Sequence, residues 1–240
     1  TTEIYTLSLH DALPILATLI KAVDKLNKRF RISSIECNIL DDEMFETLKN
    51  CKNFCPHFHL SLQSACNETL KRMNRRYTIE KFIEITDRIR KEFPTACIST
   101  DLIVGFKGET DEEFETTFKN LQRIGFDFMH IFPYSIRSGT AASKMGGDVP
   151  ADVVKQREKR LQKLNAEFKA NFYAKNKGTK HKLLVEIVDE NYSIGYTDNY
   201  IYTYLPKPHN VGEIVDVTIT EPFKKGMLAE IGRASCRERV

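Results

Sequence analysis

The chain has 240 residues, 41% of them hydrophobic and 29% charged, with a formal charge of +3. That length accommodates one large domain or a domain with a small module, and the mild positive charge permits nucleic-acid binding without arguing for it. No apolar stretch approaches the ~20 residues of a membrane span, and no basic segment leads an apolar core as in a secretory signal, so the six cysteines are expected as reduced thiols of a cytoplasmic protein.

The two ends stand apart from the rest. When Thr6–Ile15, TLSLHDALPI, is back-translated, the reverse complement read one base in encodes IGRASCRER and opens a valine codon, which is Ile231–Val240. One DNA segment read on opposite strands accounts for both termini, a relation no fold requires. Residues 1–15 and 231–240 are therefore expected to be translated sequencing adapter, and residues 16–230 an internal fragment of a longer protein.

Between them, strand and helix alternate. Arg29–Glu36 reads as a strand and Asp41–Asn50 as a helix whose leading acids suit the N-terminal dipole. His57–Leu62, HFHLSL, alternates as a strand does, and Glu68–Met73 is a short helix. Thr78–Phe93 is a longer helix with Phe82, Ile85, Ile89 and Phe93 on one stripe, stopped by Pro94. Cys97–Val104 is the next strand. Thr110-x-x-Glu113 is a capping box that starts a helix burying Phe114, Phe118 and Leu121. Asp127–Phe132 is the fourth strand. Alternation of this kind predicts parallel β/α units, and four strands do not close a (β/α) barrel alone. The strand Arg29–Glu36 is then expected as an open edge.

Pro150 opens a long helix to about Lys175 with an apolar stripe at Leu161, Leu164 and Phe168. From His181 to Glu230 short alternating strands punctuated by Gly195, Gly212 and Gly226 predict a small antiparallel β-barrel. The expected architecture is α/β: a partial (β/α) barrel over 16–176, then the small barrel over 177–230, with a hinge near Lys177–Thr179.

Ligands of parallel sheets bind at the carboxyl ends of the strands. Four such ends carry polar or glycine residues: Glu36, Gln63 with Ser64, Gly105, and Tyr134 with Ser135 and Arg137. Each also has a plainer reading. Gly105 suits a tight turn as well as close approach of a ligand. Ser64 suits helix capping better than ligand binding. Glu36 suits a cap. Cys51 and Cys55 form a single C-x3-C pair, where a structural zinc site needs two such pairs.

The segments SSIE, CPHFHLSLQS, LKRMNRRYT, TDLIVGFKGETDEEFE, MHIFPYSIRSGTAA and VPADVVKQREKRL occur in that order. Together they resemble the radical-SAM methylthiotransferases over nearly all of 16–230. CPHFHLSLQS and MHIFPYS resemble the branch that modifies threonylcarbamoyl-adenosine beside the tRNA anticodon, and the final barrel resembles a TRAM domain. The resemblance implies S-adenosylmethionine as cofactor, two 4Fe-4S clusters in the full-length protein, and tRNA as partner, with no membrane and no obligate protein partner. By that resemblance Glu36, Gln63, Ser64, Arg75 and Gly105 would line the S-adenosylmethionine site. Ala65 stands where the family has glycine, Lys107 where it has proline, and Asp101 where it has the first glycine of the segment ending near Glu109. The C-x3-C-x2-C cluster motif is missing, since position 58 is Phe, so Cys51 and Cys55 are expected to match it by coincidence on a later loop. No catalytic residue and no metal ligand is assigned to this chain, which is expected to be inactive alone.

The small barrel carries Tyr192, Tyr196, Tyr200, Tyr202, Tyr204 and Phe223 with lysines interleaved. Aromatic faces stack bases and lysines neutralise phosphates, while alternation also demands that some of these rings be core. The residues expected to meet RNA are Lys180, Lys182, Tyr196, Tyr200, Lys224 and Lys225. Two other readings stand beside the tRNA methylthiotransferase fragment: an RNA-binding module on a non-catalytic scaffold, and another branch acting on isopentenyl-adenosine or a ribosomal protein.

Overall fold

The computed structural model describes residues 9–232, so the adapter reading of residues 1–8 and 233–240 lies outside the described residues. Helix α1 (Leu9–Asp24) leads into strand β1 (Phe30–Ile35), α2 (Asp42–Asn50), β2 (Phe54–Gln63), α3 (Asn67–Arg72), α4 (Ile79–Glu92), β3 (Cys97–Val104), α5 (Asp111–Ile124) and β4 (Phe128–Pro133). The four strands form one parallel sheet in the order β1-β2-β3-β4. Helix starts follow local chemistry. Asp41 accepts from the Met44 N–H, and Thr110 and Glu113 cap α5 reciprocally, with Gly125 closing that helix at φ 63°.

Side chains alternate across a strand, so the sheet has two unlike faces. Phe58, Leu60, Leu62, Ile98, Leu102, Val104 and Met129 are buried and belong to one core with Phe45, Phe82, Phe114 and Leu121 of the helices. The other set, His57, His59, Ser61 and Gln63 on β2, Ser99 and Asp101 on β3, and Phe128 and His130 on β4, makes a polar face. Strand β1 lies at the sheet edge, as expected, and two register shifts interrupt its pairing with β2. Cys55 lies within β2 and is buried rather than on a loop, because β2 starts at Phe54.

Helix α6 (Ala151–Asn176) crosses back over β4 and leads into a closed barrel of β5 (Lys180–Val188), β6 (Tyr192–Thr197), β7 (Tyr202–Pro206), β8 (Ile214–Phe223) and β9 (Gly226–Ile231), ordered β5-β6-β7-β9-β8. Strand β8 closes against β5. The barrel is mixed rather than wholly antiparallel, because β9 returns beside β7 and pairs with it in parallel. This is a five-stranded Greek-key barrel of the OB type. A Cβ at Gly195 would lie 1.8 Å from the Leu184 carbonyl oxygen, and one at Gly226 2.0 Å from that of Tyr202, so only glycine lets the strands pass there.

The junction expected to be a hinge is pinned. The Gly178 N–H donates to Ile219 O at 2.8 Å, and the Ile219 N–H to Thr179 O at 3.0 Å. The Asn199 amide of the barrel donates to Asn176 Oδ1 at 2.9 Å and to Thr95 O at 3.0 Å. Phe172 of α6 and Cys97 of β3 join the barrel core. Tyr200 stacks on His57 at 4.2 Å. The barrel is therefore seated at the amino-terminal ends of the parallel strands, away from their tips.

Candidate functional site

At the strand tips, β2 ends in a register shift between Ser61 and Gln63, and Gln63 sits at φ 66°, a left-handed conformation uncommon for a residue with a side chain. The Tyr134 N–H donates to Val104 O at 2.8 Å, fixing the exit of β4 beside that of β3. Between them opens a cavity of about 570 Å³ whose lining includes Gln63, Asp101, Ile103, Tyr134, Ser135 and Arg137. Tyr134 stands edge-on to Phe106 at 5.1 Å, and its hydroxyl is buried with no hydrogen-bond partner among the described residues. An unpaired buried hydroxyl is costly unless a ligand or water completes it.

The residues expected to line a cofactor site separate. Gln63 lines the cavity. Arg75 and Glu36 meet each other, Nη1 to Oε1 at 3.1 Å, outside its lining. Ser64 is buried, accepts the Cys66 N–H and lies 3.4 Å from Thr117 Oγ1, so it ties β2 to α5. Gly105, at φ 73°, faces α6: a Cβ there would lie 2.5 Å from Val154 Cγ2. The space that a ligand was expected to use is filled by that helix. The Gly105 N–H donates to Glu109 Oε2 at 2.9 Å, and the same oxygen accepts from Arg157 Nη1 at 2.7 Å.

On the polar face, His59 Nε2 lies 3.2 Å from Asp101 Oδ2, and the ligating atoms of His59, Asp101 and His130 all fall within 4.8 Å of one another. Ser99 Oγ bridges His59 Nδ1 at 2.9 Å and His57 Nε2 at 2.8 Å. Burial, with the nearby Arg31 guanidinium and the His59 and His130 rings, pushes the His57 pKa down to about 3, so it is neutral. This cluster was not foreseen. Alternation in HFHLSL puts His57 and His59 on one face, but only the register, with Ser61 opposite Asp101 and Asp101 opposite His130, brings three strands' groups together.

On the barrel, Tyr196 pairs with Tyr202 and Ile194 with Tyr204; Tyr196 and Tyr202 are half-buried, and Tyr204 is buried among Tyr192, Tyr202 and Phe223. The rings form a track: Phe223 to Tyr204 at 5.2 Å, Tyr204 to Tyr202 at 5.4 Å, Tyr202 to Tyr196 at 5.1 Å and Tyr196 to Tyr200 at 4.5 Å. Lys224 lies over Tyr192 at 5.0 Å and Lys225 over Tyr202 at 4.4 Å. Tyr196, Lys224 and Lys225 thus share one face. Tyr200 is stacked by His57 and Tyr196, with Arg31 over its ring at 4.2 Å, so its faces are taken within the protein. On β5, Lys182 pairs with Asp216 at 3.0 Å and Lys180 is exposed.

The profile of the Radical SAM superfamily matches residues 6–121. The chain is 34% identical over 213 residues to the threonylcarbamoyladenosine tRNA methylthiotransferase MtaB of Bacillus subtilis, covering 85% of this chain and 47% of the relative. Residues 6–121 carry a Radical SAM domain. It is also 37% identical over 211 residues to the tRNA-2-methylthio-N(6)-dimethylallyladenosine synthase of Oceanobacillus iheyensis, covering 86% of this chain and 41% of that one. The chain therefore spans about half the length of the curated relatives it matches. Among solved structures, Escherichia coli coproporphyrinogen III oxidase (HemN), a radical SAM enzyme, superposes with a TM-score of 0.52 at 16% identity over 73% of this chain and 39% of its own. That likeness concerns the fold alone.

Radical SAM chemistry uses a thiolate-bound cluster and S-adenosylmethionine, and the two fare differently here. Among the described residues no three cysteines converge; the one convergent set of histidine, cysteine or acidic ligands is His59, Asp101 and His130. Cys37, Cys55, Cys66 and Cys97 are buried. Burial pushes the Cys37 thiol up to about 12 and Cys97 well above its ordinary value, which disfavours thiolate. These residues do not fit an iron–sulfur cluster. The tip cavity does fit a polar nucleoside, having an amide, a carboxylate, a hydroxyl and a guanidinium from Gln63, Asp101, Ser135 and Arg137 around an apolar wall. Among the described residues no helix is long and apolar enough to cross a membrane.

Proposed function

We propose that this chain is the C-terminal part of a cytoplasmic tRNA methylthiotransferase that modifies threonylcarbamoyl-adenosine next to the anticodon. Its strand-tip cavity holds S-adenosylmethionine, and its barrel holds the RNA. The observation that carries the reading is the strand-tip cavity of about 570 Å³ that brings Gln63, Asp101, Ser135 and Arg137 together. When bound and reduced, S-adenosylmethionine supplies an adenosyl radical in this superfamily. The residues here bind and orient it. Gln63 and Ser135 offer hydrogen bonds to the nucleoside, and Arg137 pairs with a carboxylate. The remaining expected residues, Glu36, Ser64, Arg75 and Gly105, act by shaping the strand ends. The aromatic track with Lys224 and Lys225 stacks unpaired bases and neutralises phosphates, and the barrel acts as a TRAM-like module.

The choice of threonylcarbamoyl-adenosine rests on CPHFHLSLQS and MHIFPYS, since relatives of both nucleoside classes match at comparable identity. The iron–sulfur clusters belong to the full-length enzyme, and the chain alone is inactive. A second reading, an RNA-binding module on a non-catalytic scaffold, is favoured by the scattered cysteines.

Equilibrium dialysis with labelled S-adenosylmethionine separates the two. Saturable binding, weakened at least about tenfold by Ser135→Ala with Arg137→Ala, supports the cavity assignment. No binding by the folded chain overturns it and leaves the second reading. For RNA, Lys224→Ala with Lys225→Ala is expected to weaken binding of an anticodon stem-loop and lower the salt slope by about 1.4, at ~0.7 per phosphate contact. An unchanged slope refutes the interface.

A further inference from the structure

We propose that His59, Asp101 and His130 form a binding site for a single divalent first-row transition ion, such as Zn²⁺ or Fe²⁺, on the polar face of the parallel sheet. The donor set is two imidazoles and one carboxylate, which suits these ions, leaves positions open for oxygen ligands, and is unlike the thiolate sets of iron–sulfur clusters. Each donor comes from a different strand of one rigid sheet: His59 from β2, Asp101 from β3 and His130 from β4. Asp101 and His130 are direct register partners, so their side chains leave the same face side by side.

The geometry is close to what an ion requires. Metal–ligand bonds of about 2.05 Å in a tetrahedron put donor atoms about 3.4 Å apart. His59 Nε2 and Asp101 Oδ2 are at 3.2 Å, and the widest spacing in the set is below 4.8 Å. Rotation of the exposed His130 ring, whose centroid is 5.6 Å from that of His59, takes up the difference.

The supporting shell is also in place. Metal-binding histidines are held by a hydrogen bond to their second ring nitrogen, which fixes ring orientation and tautomer. Ser99 Oγ sits 2.9 Å from His59 Nδ1, which leaves Nε2 aimed at Asp101. Asp101 lines the strand-tip cavity, while His130 lines a second cavity of about 290 Å³ beneath the barrel tyrosines. An ion here stands on the wall between the two cavities, with its free positions accessible to an oxygen-donor ligand. The proposal does not depend on the cofactor or RNA reading.

The test uses the whole chain, stripped with chelator and titrated with Co²⁺. One equivalent is expected to give visible d–d bands without the near-ultraviolet charge transfer of thiolate ligation, and Zn²⁺ is expected to displace it. His130→Ala and Asp101→Asn should each weaken Co²⁺ binding by more than about tenfold, and Ser99→Ala by about 10- to 100-fold, with circular dichroism confirming that each folds. Cys51→Ser should leave the spectrum unchanged. Absence of bands, a thiolate charge-transfer signature, or a spectrum that survives His130→Ala in a folded chain overturns the proposal.

Discussion

Replacing Arg157 by methionine is expected to destabilise the chain by about 3–5 kcal/mol at neutral pH, the cost of stranding a buried partner charge. Arg157 and Glu109 side chains are 6% and 2% exposed and lie 2.7 Å apart. Arg157 also donates to the Glu109 carbonyl at 3.2 Å and to Asp111 at 2.7 Å. Methionine keeps much of the volume against Phe114 but leaves the Glu109 carboxylate with the Gly105 N–H as its chief remaining donor. Burial already holds the Glu109 pKa above the ordinary carboxylate value, opposed by Gly105 and Arg157, so losing Arg157 raises it further. A carboxyl raised on folding contributes stability below its unfolded pKa and loses it as pH rises through the folded one. The deficit of Arg157→Met is therefore largest at neutral pH and shrinks as the medium is acidified toward the raised value. Urea denaturation followed by circular dichroism at about pH 7.5 and about pH 5 measures both. Glu109→Gln in the same chain removes the stranded charge, keeps an acceptor for Gly105, and should recover about half or more of the loss, a coupling read from the double-mutant cycle. A loss below about 1 kcal/mol, or one equal at both pH values, would refute the reasoning.

Gly105→Ala is expected to cost about 2 kcal/mol or more, from a left-handed backbone and from overlap with Val154, and Val154→Ala should relieve the overlap but not the backbone strain. A neutral Gly105→Ala in chemical denaturation would contradict the packing. Glu113→Gln keeps the α5 cap but breaks the two-pronged Arg72 contact, whose bonds are 2.7 and 2.5 Å, at a cost of about 1–2 kcal/mol near pH 7. Arg72 holds the Glu113 pKa below its ordinary value, so that contribution is present above the carboxylate range and disappears as pH falls through the lowered pKa. A difference between wild type and variant that persists at strongly acid pH would argue against it.

The elements that follow local rules were legible. HFHLSL alternates because one face packs into the apolar core while the other carries hydrogen-bonded polar groups, TDEE caps a helix because Thr110 and Glu113 satisfy each other, and the apolar stripe Leu161–Leu164–Phe168 marks the buried side of α6. What depends on long-range pairing was not. The parallel partnership of β7 with β9 follows from barrel closure, which no local signal encodes. Ser64 follows a strand end and looks ligand-facing, but the irregular turn at Gln63 sends it toward Thr117. Gly105 was legible as a glycine-requiring position, but whether a ligand or Val154 fills the space depends on how α6 returns. The polar cluster needed the β3–β4 register, and the loss of Tyr200 to internal stacking needed the seat of the barrel.

That seat has a consequence for scale. Strand β3 runs eight residues from the barrel's footing at Cys97 to the tip at Val104, about 23 Å at about 3.3 Å per residue. A ligand gripped at one end and worked on at the other must be long and stiff enough to bridge that gap. A group the size of one nucleoside therefore meets the footing or the tip and not both, and only a longer molecule touches the two at once.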